Sequence, residues 1–440
     1  MAKPTLEGLP TELLILILLE IPDLASLKSI VLSSPIFHQA YLPVRQEALY
    51  GIVKNEWGVL LADAIAATRS RGLKFAHHKQ EAIALLDTWR RKEEIRDLAL
   101  GSLIPIDGPG NLEEILNLFY LHKVFHFFLQ ENETKPPRPP WISNDQWENS
   151  ILPMKLSEIE KHRFLRALCR LQIYANIFSE YEYTATTRLS YKHNNWGDLK
   201  DDFRVYEEGH RLFLGAMPPW EFQEIGCLWA YLTTMFGHIY NEISDGLHDL
   251  IEKHMTTDPE YARQFPSLEC FEFLPQEVMP PWGNGIDKLS NVDLLWEFDN
   301  SLASMGPDFV YRVLHGTPLV RRDMVMVNGN YFSQISQFPN MYLSEEQMVP
   351  FIYPADRHAV QDYEQLWSTL PSIEQPNLGW KQVHVLPDTP GQTFEEAIEV
   401  QCPRKSLWCW GYAIFDDERL LAWKAPLTEF RLGNEPNFAV

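Results

Sequence analysis

"LPTELLILILLEIPDLASLKSIVLSSPIFHQAY", Leu9 to Tyr41, decides how the rest of the chain is read. Seven consecutive apolar residues, Leu13 to Leu19, sit inside it. A helix built from them is apolar on every side, and such a helix is buried on every side. A membrane span needs about 20 apolar residues, and this run would rise only about 10 Å as a helix. A secretory leader is not expected either. Only Lys3 is basic ahead of the run, Glu7 and Glu12 offset it, and Pro22-Asp23 follows in place of a small-residue cleavage site. A short hairpin has too little chain to cover this much apolar surface. Part of it is therefore expected to meet a second protein.

Punctuation divides the stretch into helices. Pro10 suits a first helical turn, and Glu12 suits the positive end of the helix dipole. Pro22-Asp23 stops that helix, and Asp23 can cap the next, "LASLKSIVLSS". Ser34 can cap a third, "PIFHQAYLPVRQEALYGIV", in which Pro43 is expected to kink or split the helix. Leu13, Leu14, Ile17, Leu18 and Ile21 form a stripe at helical spacing, and Ile15, Leu16 and Leu19 cover much of the remainder. In the second helix Leu24, Leu27, Ile30 and Val31 share one side.

The remaining chain is long enough for one large helical body or two further domains. With 440 residues and 45% hydrophobic content it can bury a substantial core. Sixty acidic against 38 basic residues give a formal charge of -22. That argues against a broad nucleic-acid or anionic-membrane footprint, both of which need concentrated Lys and Arg. The short basic patches "RSRGLK" and "WRRKEE" do not change this, the second being a solvated helix face with acidic neighbours. Five scattered cysteines with no C-x-x-C pair argue against a disulfide framework or a zinc cage. A reducing compartment, cytoplasm or nucleus, is expected.

Beyond Trp57 the pattern stays mostly helical. "NLEEILNLFYLHKVFHFFL" opens on Asn111 as cap. "KPPRPPW", Lys135 to Trp141, reads as a stiff connector near 132–141. Phe164, Leu168, Leu171, Ala175 and Phe178 make an amphipathic stripe. Pro218-Pro219 start a long helix through Leu250 that Gly226, Gly237 and Gly246 could interrupt. "VDLLWEFDNSLASMGPDFVYRVLHG" reads as two short helices hinged at Gly306-Pro307. "WKQVHVL" and "SLWCWGYAIF" alternate as strands do, with a helix between them signalled by Thr393 and Glu396. No repeat of 20–50 residues is present. The expected fold class is mainly α: a three-helix domain at 1–56, then a helical body at 57–440 with a small mixed α/β C-terminal part.

The N-terminal residues resemble the F-box, a three-helix motif that docks on a Skp-type adaptor of cullin–RING ubiquitin ligases. Leu9-Pro10 match the family's Leu-Pro start. Glu12, Leu13, Leu14, Ile17 and Leu18 fall where it carries an acidic residue and its Leu/Ile contacts. Ile30, Val31 and Leu32 match the apolar second helix. "SSPIFHQAY" is similar to the third-helix start of filamentous-fungal F-box proteins, with Phe37 near a position that is often Trp. The Pro22-Asp23 turn is shorter than the common form. "DFVYRVLHG" and "GYAIFDDERLLAW" look like segments that recur in the C-terminal parts of such proteins. The resemblance implies adaptor contacts at Leu9, Pro10, Leu13, Leu14, Ile17, Leu18, Ile30, Val31 and Phe37, a cullin reached through the adaptor, and a protein client on the body. The acidic charge favours a basic client.

No catalytic motif is present: no G-x-S-x-G, no G-x-x-x-x-G-K-[ST] and no H-E-x-x-H. "GPGNLEE" reads as a turn before a capped helix. "FGHIYNEISDGLHDLIEKH" places His238, Glu242, Asp245, Asp249 and Glu252 on one helix face. That could serve a divalent metal, but a solvated face accounts for it better, because one helix rarely completes a metal shell. No cofactor, metal or catalytic residue is expected. The many Trp, several beside Pro at Trp141, Trp220 and Trp282, fit a core better than a recognition groove. The reading is a substrate receptor; the alternatives are an adaptor-bound scaffold without clients and a metal-dependent enzyme using His238 and Glu242.

Overall fold

A computed structural model describes residues 6–90, 108–179, 182, 213, 217–254, 302–328, 367–368, 370–385 and 405–430. The chain is mainly helical, and no strand occurs among the described residues. Helices α1 (Thr11–Leu19), α2 (Leu24–Ser33) and α3 (Pro35–Trp57) form an N-terminal bundle in which α1 and α2 both pack on α3. The caps are those the sequence offers. Asp23 accepts hydrogen bonds from the backbone and hydroxyl of Ser26, at 2.8 and 2.7 Å, and Ser34 accepts one from the Ile36 backbone at 3.2 Å. Pro43 does not split α3, which runs unbroken through it. The side chain is exposed, and the helix is held by packing on both sides of that point, so one missing N–H is tolerated.

The body is built on α4 (Leu61–Arg69), α5 (Lys79–Arg90), α6 (Leu112–Thr134), α7 (Glu158–Phe178), α8 (Pro219–His254), α9 (Pro307–His315) and α10 (Pro318–Asn328). Helix α7 is central. It packs on α4, α6, α8 and α9, and nearly every residue from Arg163 to Phe178 is buried. Asn111 caps α6 through the Glu114 backbone at 2.9 Å. Ser157 and Glu160 form a reciprocal capping box on α7. Helix α8 is one continuous helix despite its glycines, and Gly226 has a packing role. A Cβ there would lie 2.1 Å from the Trp408 ring, so only glycine lets that ring rest on the helix backbone. At the expected hinge, Gly306 takes φ +92° and Pro307 opens α9. Residues 292–301 of that segment lie outside the described residues.

The expected α/β tail is corrected for the two segments read as strands. Helix α11 (Leu378–His384) stands where "WKQVHVL" alternated. Gly379, Trp380, Val383 and His384 are its buried positions, which is helical spacing, and Asn377 caps it by accepting from the Trp380 backbone at 2.8 Å. "SLWCWGYAIF" starts as a single helical turn, α12 (Lys405–Trp408), and continues as turns around Gly411 at φ +78°. All its residues from Leu407 to Phe415 except Cys409 and Gly411 bury a hydrophobic side chain, so no solvent face exists to set a period of two. The helix signalled by Thr393 and Glu396 falls outside the described residues. Helix α13 (Asp417–Ala422) follows and packs on α11. Of the connector expected near 132–141, residues 132–134 still belong to α6 and 135–141 are non-helical, and Trp141 docks from it onto this C-terminal layer. Its indole N–H donates to the Trp423 carbonyl at 3.0 Å, and its ring meets Trp410 at 4.7 Å.

Candidate docking surface on the N-terminal bundle

Helix α1 has more apolar side chains than it has inward positions. Leu14 and Leu18 point into the bundle, 1% and 0% exposed. Ile15, Ile17 and Leu19 lie half-buried at the margin, while Leu13 and Leu16 are exposed. The second helix repeats the division, with Leu27 and Val31 inside and Leu24 and Leu32 outside. At the start of α3, Phe37 and Ala40 face in, and Ile36 and Leu42 face out. Among the described residues, eight of the twelve exposed large hydrophobic side chains lie between Leu6 and Val59. Such a concentration marks a binding surface more often than chance exposure does.

The positions that the F-box resemblance names therefore fall into different groups. Pro10 and Leu13 are exposed; Leu9, Ile17 and Ile30 are half-buried. Leu14, Leu18, Val31 and Phe37 are interior and hold the bundle together. Leu16, Leu24, Leu32, Ile36 and Leu42 were not among the named contacts. Their signal lay in their positions opposite the buried Leu14, Leu18, Leu27 and Val31.

The second half of α3 turns from the bundle to the body. Ala48, Leu49, Ile52, Val53 and Trp57 are buried, and α3 packs on α6. Trp57 sets its ring edge-on to His122 at 5.4 Å and to Phe125 at 5.9 Å. Beside it, the Glu56 carboxylate stands 3.6 Å from His122 Nδ1.

A second constellation, which sequence reading missed, is a buried ionic network on α7. Arg163, Arg166 and Arg170 recur along α7 and are all buried. Arg166 grips Glu224 in a bidentate pair at 2.6 and 2.9 Å and reaches Glu221 at 2.8 Å. Arg170 pairs with Glu221 and with Asp63, which also accepts from the Trp89 indole at 3.1 Å. Arg163 donates to Asp416 at 3.2 Å and to the carbonyls of Ile414 and Gln375. Burial works against the charge of Arg170, but Glu221 and Asp63 outweigh it and hold its pKa above the ordinary arginine value. Burial raises the Glu224 carboxyl, and the Arg166 guanidinium opposes that rise. Every charge is spent on another, which is the pattern of a structural clamp joining α4, α7, α8 and the C-terminal layer. Below it, Glu160 closes a bidentate pair with Arg419 at 2.6 and 2.7 Å.

Beside this network a polar chain runs through the aromatic core. The Trp408 indole and the Tyr412 hydroxyl both donate to Gln223 Oε1, at 2.6 and 2.9 Å, and His384 meets Tyr412 at 2.9 Å. Trp220, Trp229, Trp380, Trp408 and Trp410 are buried here, as a core role requires.

Among the described residues, no three His, Cys, Asp or Glu side chains converge as a metal site needs. The His238 and Glu242 side chains lie outside the described residues, and so does Trp282. Cys169 and Cys227 are buried, Cys409 is exposed, and none of the three is in a disulfide. No described helix is long and apolar enough to cross a membrane. No family model, curated protein or solved structure matches the chain.

Proposed function

We propose that the chain is a substrate receptor of an SCF-type ubiquitin ligase. In this reading the outward leucines of α1 and α2, with Ile36 and Leu42 of α3, seat a Skp-type adaptor, and the helical body carries the client. The observation that supports it is the concentration of exposed apolar side chains on three helices that begin with Leu9-Pro10, the second and third capped by Asp23 and Ser34. Each leucine that a partner covers contributes about 1.5–3 kcal/mol, so a few are enough for a specific contact. The chain itself supplies no ubiquitin chemistry. Its contribution is proximity, holding the client near the charged conjugating enzyme. The acidic body favours basic clients, through complementary potentials that weaken as salt rises.

The test uses the full-length chain. Leu13→Asp with Leu16→Asp should abolish co-purification of the adaptor and leave the circular dichroism spectrum intact. A client captured by both proteins should be ubiquitinated in reconstitution only with the wild type. Adaptor binding that survives the double substitution sinks the docking surface. Adaptor binding with no protein that accumulates on deletion of the receptor turns the reading into an adaptor-bound scaffold.

A further inference from the structure

The junction between the bundle and the body contains a pair of titratable groups in an unusual setting. Glu56 Oε2 is fully buried and has no hydrogen-bond partner among the described residues. The nearest basic atom is His122 Nδ1 at 3.6 Å, beyond hydrogen-bond range. His122 is itself confined. Trp57 sets its ring edge-on to it at 5.4 Å, and the His126 ring lies 4.1 Å away. A carboxylate whose inner oxygen is buried without a donor gains from acquiring a proton of its own. A half-buried imidazole packed against an indole and a second imidazole loses from becoming charged.

We propose that Glu56 and His122 form a proton-linked junction between the N-terminal bundle and the helical body, in which the carboxyl and not the imidazole takes the first proton as pH falls. This inference is independent of the adaptor reading. The surrounding charges favour the same order. Burial, and then the charge of Asp23 from the turn between α1 and α2, raise the Glu56 carboxyl above its ordinary value. Burial, and then His126, lower His122 from 6.5 to about 4. His126 is also lowered by burial, with Lys161 of α7 adding to the effect and Glu133 opposing it. Three other charges on the helices packed around α3 and α6 are paired elsewhere: Asp63 with Arg170, Arg69 with Glu114, and Arg312 with Asp308 and Glu182.

In the unfolded chain the order is reversed, because an ordinary histidine protonates before an ordinary glutamate. Folding therefore moves the proton from imidazole to carboxyl. The two contributions to pH-dependent stability have opposite signs, so each partly offsets the other while both residues are present. Glu56 binds its proton more tightly when folded, so its contribution is greatest in acid and is lost as pH rises through its folded pKa. His122 binds its proton less tightly when folded, so its contribution is lost as pH falls from 6.5 towards 4.

Removing either partner should expose the other. Melting temperatures of full-length wild type, Glu56→Gln and His122→Phe are compared from pH 8 to pH 4. Relative to wild type, Glu56→Gln should lose stability as the pH falls, and His122→Phe should gain it. Asp23→Asn, which keeps the helix cap, should weaken the Glu56 contribution and so make Glu56→Gln less consequential in acid. An NMR titration of the wild type reads the same order directly: His122 should stay neutral until about pH 4. Difference curves with the same slope, or a His122 resonance that titrates near 6.5, overturn the proposal. Added zinc that raises the wild-type melting temperature but not that of His122→Phe also overturns it, since His122 and His126 would then be metal ligands.

Discussion

Helices α1 and α7 dispose of their side chains in opposite ways. Helix α1 is almost wholly apolar and leaves Leu13 and Leu16 in water, while α7 carries three arginines and buries all of them. The usual order of cost is inverted in both places. An exposed leucine forgoes about 1.5–3 kcal/mol of burial. A buried charge costs several kcal/mol unless it is fully paired. The body meets that cost with Glu221, Glu224, Asp63 and Asp416; among the described residues nothing covers the outer leucines of the bundle. Surplus apolar surface is thus a property of the first helices, and self-sufficiency a property of the body.

The sharpest way to break this comparison is to unpair the body's clamp. Arg166→Met should cost about 3–5 kcal/mol in urea unfolding, because Glu224 and Glu221 then sit buried without their cation. A loss under about 1 kcal/mol would mean that water reaches those carboxylates.

Next comes the contrast within α1. Leu14→Ala or Leu18→Ala should cost about 2–5 kcal/mol and release hydrogen-exchange protection in α1–α3. Leu13→Ala and Leu16→Ala should each stay within about 0.5 kcal/mol. Similar losses at all four sites would erase the distinction between inner and outer leucines.

A smaller effect is expected at His162 on α7. Burial, and then the Arg166 charge, lower its pKa from 6.5 to about 3. The unfolded chain therefore binds a proton that the folded chain refuses, and stability falls as pH drops from about 6.5 towards 3. His162→Gln should flatten that part of the pH–stability curve; an unchanged curve would show that the ring takes its proton in the folded protein. The smallest effect belongs to the exposed pair Lys161–Glu158 at 2.9 Å on the same helix. Glu158→Ala should change stability by less than about 0.5 kcal/mol and show that only the interior ion pairs of α7 matter.

What the sequence made legible follows from where its signals are local. Caps depend on one side chain and the next three residues, so Asp23, Ser34 and Asn111 could be read directly. The phase of α1 could not, because a run apolar on every side carries no period to tell Leu14 from Leu13. The arginines of α7 were hidden for a different reason. Charge normally signals a solvated face, and only the tertiary approach of α4 and α8 supplies the carboxylates that bring Arg166 and Arg170 inside. The tail misled because burial on all sides erases the difference between strand and turn, leaving "WKQVHVL" to be settled by the Asn377 cap and the contact of Gly379 with the Tyr412 carbonyl.

Helix α3 belongs to both regions at once. Its 23 residues make a rod of about 34 Å, with the start seated against α1 and α2 and the end wedged by Trp57 against α6. Because α3 runs on through Pro43, helix and not loop joins its two ends. A partner seated on the outer leucines would then be held at a distance from the body set by that helix. Its reach is thus decided by geometry, and a twist applied at one end arrives at the other.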